Sequence, residues 1–464
     1  MGEKESPTDE VITSKVSLGY TNKNIIFHHL ERKKMKLQKP KGTADILPAE
    51  SAKWQYIEEI ARAVFNDYNF KEIRTPMFES YELFSRATGE TSDIVTKEMY
   101  DFEDKGGRHI ALRPEGTAGA VRAYIENKLY APEIIKPVKI WYEEPMFRYE
   151  RPQSGRLRQF HQFGVECLGV KNPAIDVEII AMADSFFRQL GLTGITLSLN
   201  SLGDMESRKT YRKALIDYLT PFETQLSEDS RRRLQENPLR VLDSKEPEDI
   251  DIVKKAPSIL DYLNETSKNY FEEVKRLLET LNINYTIDSN MVRGLDYYND
   301  TIFEFIVNFE GKDLTVCGGG RYDGLVEYFD GPATPAFGFG LGIERLLLVV
   351  AKQEIEFIPE ENLDVFIAVM GDKANLEATK LTESLREQAF KVERDFSNRK
   401  LGAQFKTAEK LGAELIITIG EDEVRTGNVK IKHNQTRKEV STTLKEIYES
   451  FAPVFEEIYA DVEN

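Results

Sequence analysis

Four arginines stand close together around a short polar turn. Arg148 and Arg151 precede the sequence Pro152-Gln-Ser-Gly155, and Arg156 and Arg158 follow it. Proline and glycine favour chain reversal, so the segment predicts a hairpin. A guanidinium group stays protonated and can bind two oxygens of one anion, so this hairpin is suited to hold a polyanion.

The segment after the turn has the pattern of a strand that runs towards Leu168. Side chains alternate between the two faces of a strand, and one face would carry Arg156, Arg158, Phe160, Gln162, Gly164 and Glu166. A strand that only filled a core would place apolar groups there, which favours a ligand-binding face. The alternative is the solvated outer face of an antiparallel sheet, which also carries charges.

Four further segments combine polar groups with glycine. They are the segments 113–117, 291–301, 317–324 and 336–345. The first places Glu115 and Thr117 on a turn, and the second joins Arg293 to the pair Tyr297 and Tyr298. We expect the third to be a flexible loop that exposes its backbone, and the fourth to lead into an apolar helix over 346–351.

Neither glycine-rich segment matches a familiar nucleotide-binding fingerprint. Ile343 stands where the pattern G-x-G-x-x-G, begun at Gly338 and Gly340, needs its third glycine. The sequence G-x-x-x-x-G-K-[ST] does not occur, so Rossmann and P-loop sites are both set aside. Arg345 and the backbone N–H groups at a helix start could still bind an anion, although the glycines could instead allow close packing of strand on helix.

The composition describes a globular protein of more than one domain. The chain has 464 residues, and a single core stops growing at roughly 250 to 300 residues. Its net charge of −17 excludes a protein that coats nucleic acid by bulk attraction but allows local basic patches. No apolar run of about 18 residues and no signal peptide is found, so we expect a cytoplasmic protein without a membrane partner. Cys167 and Cys317 lack metal-ligand spacing and predict reduced thiols without a metal site.

Changes of pattern divide the first part of the chain. Residues 1–34 form an extension without periodicity, either disordered or the product of a mis-assigned start before Met35. Residues 35–202 and 287–357 carry the strand candidates of a mainly antiparallel sheet, and the charged helical stretch 203–286 interrupts them as an insertion. The strand candidates are 138–141, 159–168, 196–199, 301–307 and 314–317.

The last part, residues 358–464, holds a linker and a small α/β unit. Its pattern predicts strands over 365–370 and 415–419 and helices over 375–389 and 402–411. Between Lys391 and Lys445 there are 12 Lys or Arg against 8 Asp or Glu. This local excess is compatible with a surface that contacts a phosphate backbone, or with an ordinary mixed surface.

Several of these motifs resemble those of the class II aminoacyl-tRNA synthetases. Arg74-Thr-Pro76 resembles the end of the first motif of that class, Phe147-Arg-Tyr-Glu150 with its hairpin the second, and Gly340-Leu-Gly-Ile-Glu-Arg345 the third. Within the class, Arg293-Gly-Leu-Asp-Tyr-Tyr-Asn299 and Gly318-Gly-Gly-Arg-Tyr-Asp-Gly324 resemble the two signatures of the histidyl-tRNA synthetase family. The resemblance covers nearly everything after the first 34 residues and is looser in the C-terminal unit.

The resemblance implies an α+β fold. The mainly antiparallel catalytic sheet of the class would be flanked by helices and joined to a helical insertion and a C-terminal α/β anticodon-binding domain. It also implies a ligase that attaches L-histidine to tRNA(His) through a histidyl-adenylate. Such an enzyme would use ATP with Mg²⁺, held by oxygens of ATP rather than by a protein cage, and would form a homodimer.

The resemblance also assigns the ATP site. Arg148 and Arg293 would flank the substrate carboxylate and the α-phosphate as the catalytic residues, with Arg293 as the catalytic cation. Arg156 and Arg345 would hold the outer phosphates, and Glu150 belongs to the same site. The adenine would stack between Phe160 and the Arg345 guanidinium.

The histidine site is assigned in the same way. Its residues would be Glu115, Gly116, Thr117, Arg148, Gln162, Glu166, Arg293, Tyr297, Tyr298 and Tyr322. Glu115, Thr117 and Gln162 would face the α-ammonium group, and Glu166 and Tyr298 the imidazole, with Tyr297 and Tyr322 completing the pocket. His161 falls on the opposite strand face, where we expect a packed structural residue.

Other functions fit the same residues less well. A regulatory paralogue that binds histidine without aminoacylation, such as the subunit that accompanies ATP phosphoribosyltransferase, generally loses the ATP arginines, whereas Arg148, Arg293 and Arg345 are all present. A threonyl or prolyl enzyme of the same class is disfavoured by the tyrosine pair and by the lack of zinc-ligand clusters. A module that only bound tRNA would not need Glu115 and Glu166 on an inward face.

Overall fold

The computed structural model describes residues 37–89, 92–355 and 363–460, except the side chains of the last two. The predicted extension over 1–34 and the predicted boundary between residues 357 and 358 lie outside these residues. None of the helices in the described ranges is both long and apolar enough to span a bilayer.

Helix α1 (Pro48–Asp67) follows directly from its sequence. Proline stands in its first turn, where the missing N–H costs no hydrogen bond. Apolar residues recur at helical spacing and are buried on one face: Trp54, Ile57, Ala61, Val64 and Phe65. This helix therefore packs its apolar stripe onto the core.

The next elements contribute half of the strands of the large sheet and all of a smaller one. They are β1 (Lys71–Glu72), β2 (Phe78–Ser80), α2 (Tyr81–Thr88), β3 (Tyr100–Glu103), β4 (His109–Leu112), α3 (Thr117–Glu126), β5 (Val138–Phe147), β6 (Gln159–Leu168), α4 (Pro173–Gln189) and β7 (Ile195–Ser201). A π-helical turn lies at Ile94–Glu98. Strands β2, β4 and β3 form a separate three-stranded sheet in that order.

A run of helices then separates β7 from the following strand. They are α5 (Met205–Leu219), α6 (Glu228–Glu236), α7 (Pro247–Val253) and α8 (Glu265–Thr280), with 3-10 turns at Thr220–Gln225, Pro238–Asp243 and Ile259–Tyr262. Side-chain oxygens of Asp204, Ser227 and Asn264 accept hydrogen bonds from the first turns of α5, α6 and α8. We call residues 203–284 the helical segment.

The chain returns to the large sheet after the helical segment. The elements are β8 (Tyr285–Ile287), β9 (Asn299–Phe309), β10 (Lys312–Arg321), α9 (Leu325–Tyr328), β11 (Ala336–Gly342) and α10 (Ile343–Lys352). Within the described residues, eight strands pair in the order β1-β5-β6-β11-β10-β9-β7-β8. All neighbours are antiparallel except the edge pairs β1 with β5 and β7 with β8. The prediction of a mainly antiparallel sheet is confirmed.

The two faces of this sheet differ. Apolar side chains such as Phe163, Val165, Phe303, Phe337 and Phe339 form one face and pack with helices α1, α4, α8 and α10 into a single buried cluster. Glycines and polar side chains alternate with them and therefore lie on the other face. Helices α1, α4, α8 and α10 thus cover one side of the sheet. The other side carries the glycines and polar groups, and helices α3, α5 and α9 pack on it around a second buried cluster that includes Ile140, Leu168 and Ile302.

A buried ion pair fixes the segment after β1 against β5. Arg113 is 3% exposed and pairs with Glu144 at 2.5 Å. The Glu144 carboxylate also accepts hydrogen bonds from the backbone N–H and the hydroxyl of Thr75, at 2.7 and 2.9 Å. Because each buried charge is paired and hydrogen-bonded, this network holds the Arg74-Thr-Pro76 motif in one place.

One secondary-structure prediction is wrong. The segment 317–324 is not a flexible loop, because β10 continues to Arg321 and Gly318, Gly319 and Gly320 are buried between β9 and β11. A Cβ atom on Gly319 would lie 2.1 Å from the carbonyl oxygen of Gly338. The glycines therefore allow close strand packing rather than loop mobility.

The strand predicted over 159–168 is confirmed as β6. Arg156 and Arg158, which the alternation placed on the same strand face, precede the strand, because Gln153 and Arg156 exchange backbone hydrogen bonds in the turn and Gly155 has a φ of +66°. One element boundary also shifts. The helix predicted over 346–351 begins earlier, at Ile343.

The C-terminal part is the predicted α/β unit. Its elements are β12 (Val365–Val369), α11 (Asp372–Glu387), β13 (Val392–Arg394), α12 (Leu401–Lys410), β14 (Leu415–Ile419), α13 (Glu421–Thr426), β15 (Asn428–His433), β16 (Glu439–Thr443), α14 (Leu444–Glu449) and α15 (Ala452–Ala460). The strand order is β13-β12-β14-β15-β16, parallel across the first three strands and antiparallel beyond them. The two predicted strands and two predicted helices are all present.

Candidate active site

A row of glycines forms the floor of the open sheet face. Directly opposed residues of paired strands share a face, and the row is Gly164, Gly340 and Gly318, on β6, β11 and β10. A Cβ atom on Gly164 would lie 1.9 Å from the Tyr142 ring, and one on Gly318 would lie 2.4 Å from Nη1 of Arg293. A Cβ atom on Gly340 would have its nearest neighbour at 3.6 Å, the amide nitrogen of Gln162. The floor is thus covered by Tyr142 at one end and by Arg293 at the other, and it is open between them. We call this space the trough.

Glu166 lies buried at the Tyr142 end of the trough. Its carboxylate accepts hydrogen bonds from the hydroxyl groups of Thr117 at 2.8 Å, Tyr142 at 3.0 Å and Tyr322 at 2.5 Å. Burial raises the pKa of Glu166 to about 8, although these donors oppose the shift. Burial also raises the pKa of both tyrosines well above the ordinary value, so their hydroxyls keep the protons they donate.

Glu115 lies beside Glu166 and binds the start of helix α3. Its carboxylate accepts the backbone N–H groups of Thr117 at 2.7 Å and Ala118 at 2.9 Å. The positive end of the helix favours a carboxylate, but burial outweighs this and raises the pKa of Glu115. Gly116 stands between Glu115 and Thr117 in the chain. A Cβ atom on it would lie 2.2 Å from the Tyr142 ring, so a larger residue there would collide with the ring.

Arg293 lies at the other end of the trough. It forms an ion pair with Glu304 of β9, and its guanidinium carbon lies 5.5 Å from the centre of the Tyr298 ring. Glu304 also accepts a 2.9 Å hydrogen bond from the Thr315 hydroxyl. Burial alone would lower the pKa of Arg293, but Tyr298 and Glu304 raise it. Arg293 therefore stays a cation that Glu304 of β9 and the Tyr298 ring hold in place.

Three tyrosine rings form the wall of the trough. The ring of Tyr297 lies 4.7 Å from that of Tyr298 and 5.6 Å from that of Tyr322, between ring centres. Among the described residues, the buried Tyr297 hydroxyl and Nε of Arg293 have no hydrogen-bond partner. Both are polar groups that a ligand in the trough could satisfy, since buried polar groups are normally hydrogen-bonded.

The hairpin brings further arginines to the same face. Nε of Arg148 donates a 2.8 Å hydrogen bond to the carbonyl oxygen of Pro114, and its guanidinium lies 5.3 Å from the Phe160 ring. Nε of Arg156 lies 2.7 Å from Glu150. The bond to Pro114 places Arg148 next to Glu115, whose pKa it lowers against the effect of burial.

Arg345 joins this group from helix α10. It donates a 2.9 Å hydrogen bond to the carbonyl oxygen of Thr315. Burial lowers its pKa, and repulsion from Arg156 and Arg148 adds to this effect while Glu150 opposes it. Arg345 thus lies close enough to Arg148 and Arg156 for their positive charges to repel. A bound polyanion would relieve this repulsion, so the cluster is suited to bind one.

The structure brings the sequence-predicted residues together at one sheet face. His161 lies on the opposite face, as expected, where its ring contacts Glu344 at 2.9 Å and the Trp54 ring at 5.0 Å. The predicted stacking of adenine between Phe160 and Arg345 stays a prediction, and in this structure Arg148 covers Phe160.

Sequence reasoning missed Tyr142 and Glu304. Tyr142 is identified only by the strand register, which places it opposite Gly164 across β5 and β6. Glu304 left a signal in the sequence, because it is a lone carboxylate in the otherwise apolar run 302–307. A lone charge in a buried strand needs a partner. Only the tertiary packing of the loop before β9 shows that the partner is Arg293.

The fold and this arginine-lined trough define the catalytic domain of a class II aminoacyl-tRNA synthetase. Residues 42–346 match the family model described as histidyl-tRNA synthetase, and residues 364–452 match one described as anticodon binding domain. The chain therefore belongs to the histidyl-tRNA synthetase family.

Individual relatives agree with this assignment. The chain is 87% identical over 430 residues to the histidine–tRNA ligase of Lactococcus lactis subsp. cremoris strain MG1363, covering 93% of this chain and 100% of the relative. It is 63% identical over 424 residues to that of Streptococcus pneumoniae strain R6, covering 91% of this chain and 99% of the relative. The crystal structure of apo S. aureus histidyl-tRNA synthetase superposes with a TM-score of 0.77 at 44% identity, covering 89% of this chain and 99% of that one.

Proposed function

We propose that this protein attaches L-histidine to tRNA(His) in two steps. A carboxylate oxygen of histidine attacks the α-phosphorus of ATP, and pyrophosphate leaves as histidyl-adenylate forms. A hydroxyl group of the terminal ribose of the tRNA then attacks the histidyl carbonyl carbon, and AMP leaves. The observation that carries the proposal is the trough, which has guanidinium groups on one side, buried carboxylates on the other and an open glycine floor between them.

Arg148 and Arg293 are the catalytic residues of this proposal. The first step brings an anionic carboxylate against an anionic phosphate, so positive charge must be held in place before the reaction. Arg293 is fixed by Glu304 over Gly318, and Arg148 is fixed by the carbonyl oxygen of Pro114 beside Glu115. These positions support a role for both beside the reacting atoms.

The outer phosphates would bind Arg156 and Arg345. Arg156 is about half exposed and holds Glu150, while Arg345 lies deeper at the start of α10. Their mutual repulsion would be relieved by a triphosphate between them, so ATP binding stabilises both cations. Phe160 offers a flat apolar surface for the adenine.

Histidine would lie over Gly340 between the carboxylates and Arg293. Glu115, Gly116, Thr117 and Gln162 would form the ammonium side, and Glu166 and Tyr298 the imidazole side, with Tyr297 and Tyr322 as walls. A neutral imidazole has one donor and one acceptor nitrogen, and a buried carboxylate left without its partner is costly. Amino acids without such a ring would therefore be rejected strongly.

Mg²⁺ would enter the site with ATP. No group of three or more His, Cys, Asp or Glu side chains in the described residues is arranged to hold a metal ion. Phosphate oxygens are ligands that Mg²⁺ prefers, and it commonly keeps several waters. The bound ion would neutralise charge on the leaving pyrophosphate, while the protein supplies Arg156 and Arg345.

The proposed division of the chain follows its predicted parts. Residues 35–202 and 287–357 would form the catalytic domain, 203–286 a helical insertion, and 358–464 a linker and the anticodon-binding domain for tRNA(His). The basic excess between Lys391 and Lys445 supports contact with a phosphate backbone. Because aminoacylation serves translation, we place the protein in the cytoplasm.

We further propose that the protein is a homodimer. The three-stranded sheet presents Phe78 and Phe102, 57% and 48% exposed, on one face with Tyr100, Ile110 and Leu112. This face is next to the Arg74-Thr-Pro76 motif, and large exposed apolar groups mark protein interfaces. A second copy of the chain would bury them.

The regulatory alternative is not favoured. Its generally lost features, the ATP arginines and the C-terminal domain, are both present. Pyrophosphate exchange with a panel of amino acids, followed by charging of tRNA(His), tests the function. Exchange that depends on histidine alone is expected, and binding of histidine without exchange would establish the regulatory role instead.

A further inference from the structure

The loop that carries Arg293, Tyr297 and Tyr298 lies outside every helix and strand. It joins β8 to β9 over residues 288–298. A strand residue is held by the hydrogen bonds of its ladder, whereas a loop residue depends on other contacts for its position. The three side chains on this loop form one end and one wall of the trough, so whatever holds the loop also shapes the site.

Arg240 of the helical segment binds the middle of this loop. Its Nη2 donates hydrogen bonds to the carbonyl oxygen of Gly294 at 2.6 Å and to Oδ1 of Asp296 at 3.1 Å. The same oxygen of Asp296 accepts a 3.0 Å hydrogen bond from the Asn237 amide. The Arg240 side chain is 14% exposed, so water competes little for these contacts.

Arg208 binds the end of the loop from a different helix. Nη1 of this α5 residue donates a 2.8 Å hydrogen bond to the carbonyl oxygen of Tyr298. Burial lowers the pKa of Arg208 and the Asp296 carboxylate opposes that effect, so the two lie within electrostatic reach. The backbone of Gly89 lies close to the other carboxylate oxygen of Asp296, since a Cβ atom on Gly89 would be only 2.5 Å from Oδ2 of Asp296.

We propose that Arg208, Asn237 and Arg240 are positioning residues for the histidine site. They clasp the loop at Gly294, Asp296 and Tyr298 and thereby hold Arg293, Tyr297 and Tyr298 in the trough. Asp296 is the shared anchor of Asn237 and Arg240. The helical segment then contributes to amino-acid activation itself, without touching substrate. This inference rests on the proposed function for its kinetic consequences.

The test replaces Arg240 by methionine, which keeps a long side chain and removes the donors. Because small misplacements of catalytic groups are costly, we expect kcat for histidine-dependent pyrophosphate exchange to fall by about 10- to 100-fold. KM for histidine rises, and KM for ATP changes by less than about threefold because Arg156 and Arg345 are not on the loop. Arg208→Met should act in the same direction.

Two nearby arginines provide the controls: Arg212 lies on α5 with Arg208, and Arg231 lies on α6, just before the 3-10 turn that carries Arg240. Arg231→Met on α6 and Arg212→Met on α5 change exposed residues, and both should keep wild-type kinetics. A merely structural role for Arg240 would lower the melting temperature and leave kcat and both KM values of the folded enzyme unchanged, which would overturn the proposal.

A double-mutant cycle and a measurement independent of activity complete the design. Arg240→Met combined with Asp296→Asn should cost less than the product of the single effects, because both remove one contact. Hydrogen–deuterium exchange of the peptide 288–298 should speed up in Arg240→Met and not in Arg231→Met. If the Arg240→Met variant protects the peptide 288–298 as well as the wild type does, the clasp is refuted, whether or not the wild-type enzyme activates histidine. If the protection changes but the wild-type enzyme shows no pyrophosphate exchange, only the proposed function is refuted.

Discussion

The Thr117 hydroxyl donates a 2.8 Å hydrogen bond to Oε1 of Glu166, across a sequence separation of 49 residues. The backbone N–H of the same threonine binds Glu115 at 2.7 Å. The first residue of helix α3 therefore holds both buried carboxylates of the trough. Because the carboxylates share this residue, the start of helix α3 sets their distance from each other.

Replacement of Glu166 by glutamine should weaken histidine binding selectively. The substitution keeps the size of the side chain but puts an amide NH2 group, which only donates, in place of an oxygen that accepts hydrogen bonds from hydroxyl groups. A buried polar group left without its partner costs about 1–3 kcal/mol, so KM for histidine should rise by about 10- to 100-fold. Pyrophosphate-exchange titrations measure this, and an equal rise in KM for ATP would contradict the assignment.

The stability of the protein should depend on pH through Glu166. Its pKa is raised to about 8 in the folded protein from an ordinary 4.5, so the folded state binds more protons between these values. Stability from this group is complete below pH 4.5 and is lost as pH rises to about 8, by on the order of 1 kcal/mol per pH unit. Urea titrations of the wild type and of Glu166→Gln give the unfolding free energy of each protein. The wild-type value minus the variant value should fall as pH rises across this range. A flat difference would show that the folded-state pKa is not raised.

Replacement of Arg293 by histidine should affect catalysis more than ATP binding. In the proposed reaction Arg293 acts on charge that develops at the α-phosphate. The histidine side chain is shorter than that of arginine, so it cannot contact Glu304 and also extend into the trough. Removing one such preorganised group costs about 100- to 1,000-fold in kcat. Single-turnover formation of the adenylate and equilibrium binding of ATP separate the effects. Comparable losses in both would refute a role for Arg293 in the chemical step.

Two glycines on the same strand should respond differently to alanine. At Gly340 the new Cβ atom would lie in ordinary contact, 3.6 Å from Gln162, so folding is preserved while the trough is partly filled. At Gly338 it would lie 2.2 Å from the carbonyl oxygen of Val165 and from Glu166, which should destabilise the protein by about 1–3 kcal/mol. Thermal unfolding and histidine KM measured on both variants test this. Gly340→Ala with wild-type kinetics would place the substrate elsewhere.

Replacement of Phe78 by aspartate should disrupt the proposed dimer. A charge in the centre of a buried apolar contact remains unpaired and favours dissociation. Because Phe78 is exposed in the monomer, the fold of each chain should be unaffected. Sedimentation velocity measures the mass of each variant. Glu103→Gln, a change at the edge of the same small sheet, is the control. A wild-type protein that sediments as a monomer would exclude this interface.

Much of the fold could be predicted because its patterns are local. Helix α1 was set by apolar spacing, and strands such as β6 by alternation, since both periods are written in consecutive residues. The glycines of β10 were misjudged as a loop for the same reason. Glycine has two uses, conformational freedom and close approach, and the residues that approach Gly319 belong to another strand.

By itself, the amino-acid sequence determined which chemical groups were available: the arginines of the hairpin, the carboxylates Glu115 and Glu166, and the tyrosine pair. Tertiary structure alone decided which of them meet. The pairing of Arg293 with Glu304, the Tyr142 ring over Gly164 and the contact of Arg240 with Asp296 all depend on strand register and on the packing of loops and helices. These contacts join residues that the chain does not place next to one another, so a one-dimensional pattern carries no record of their distances.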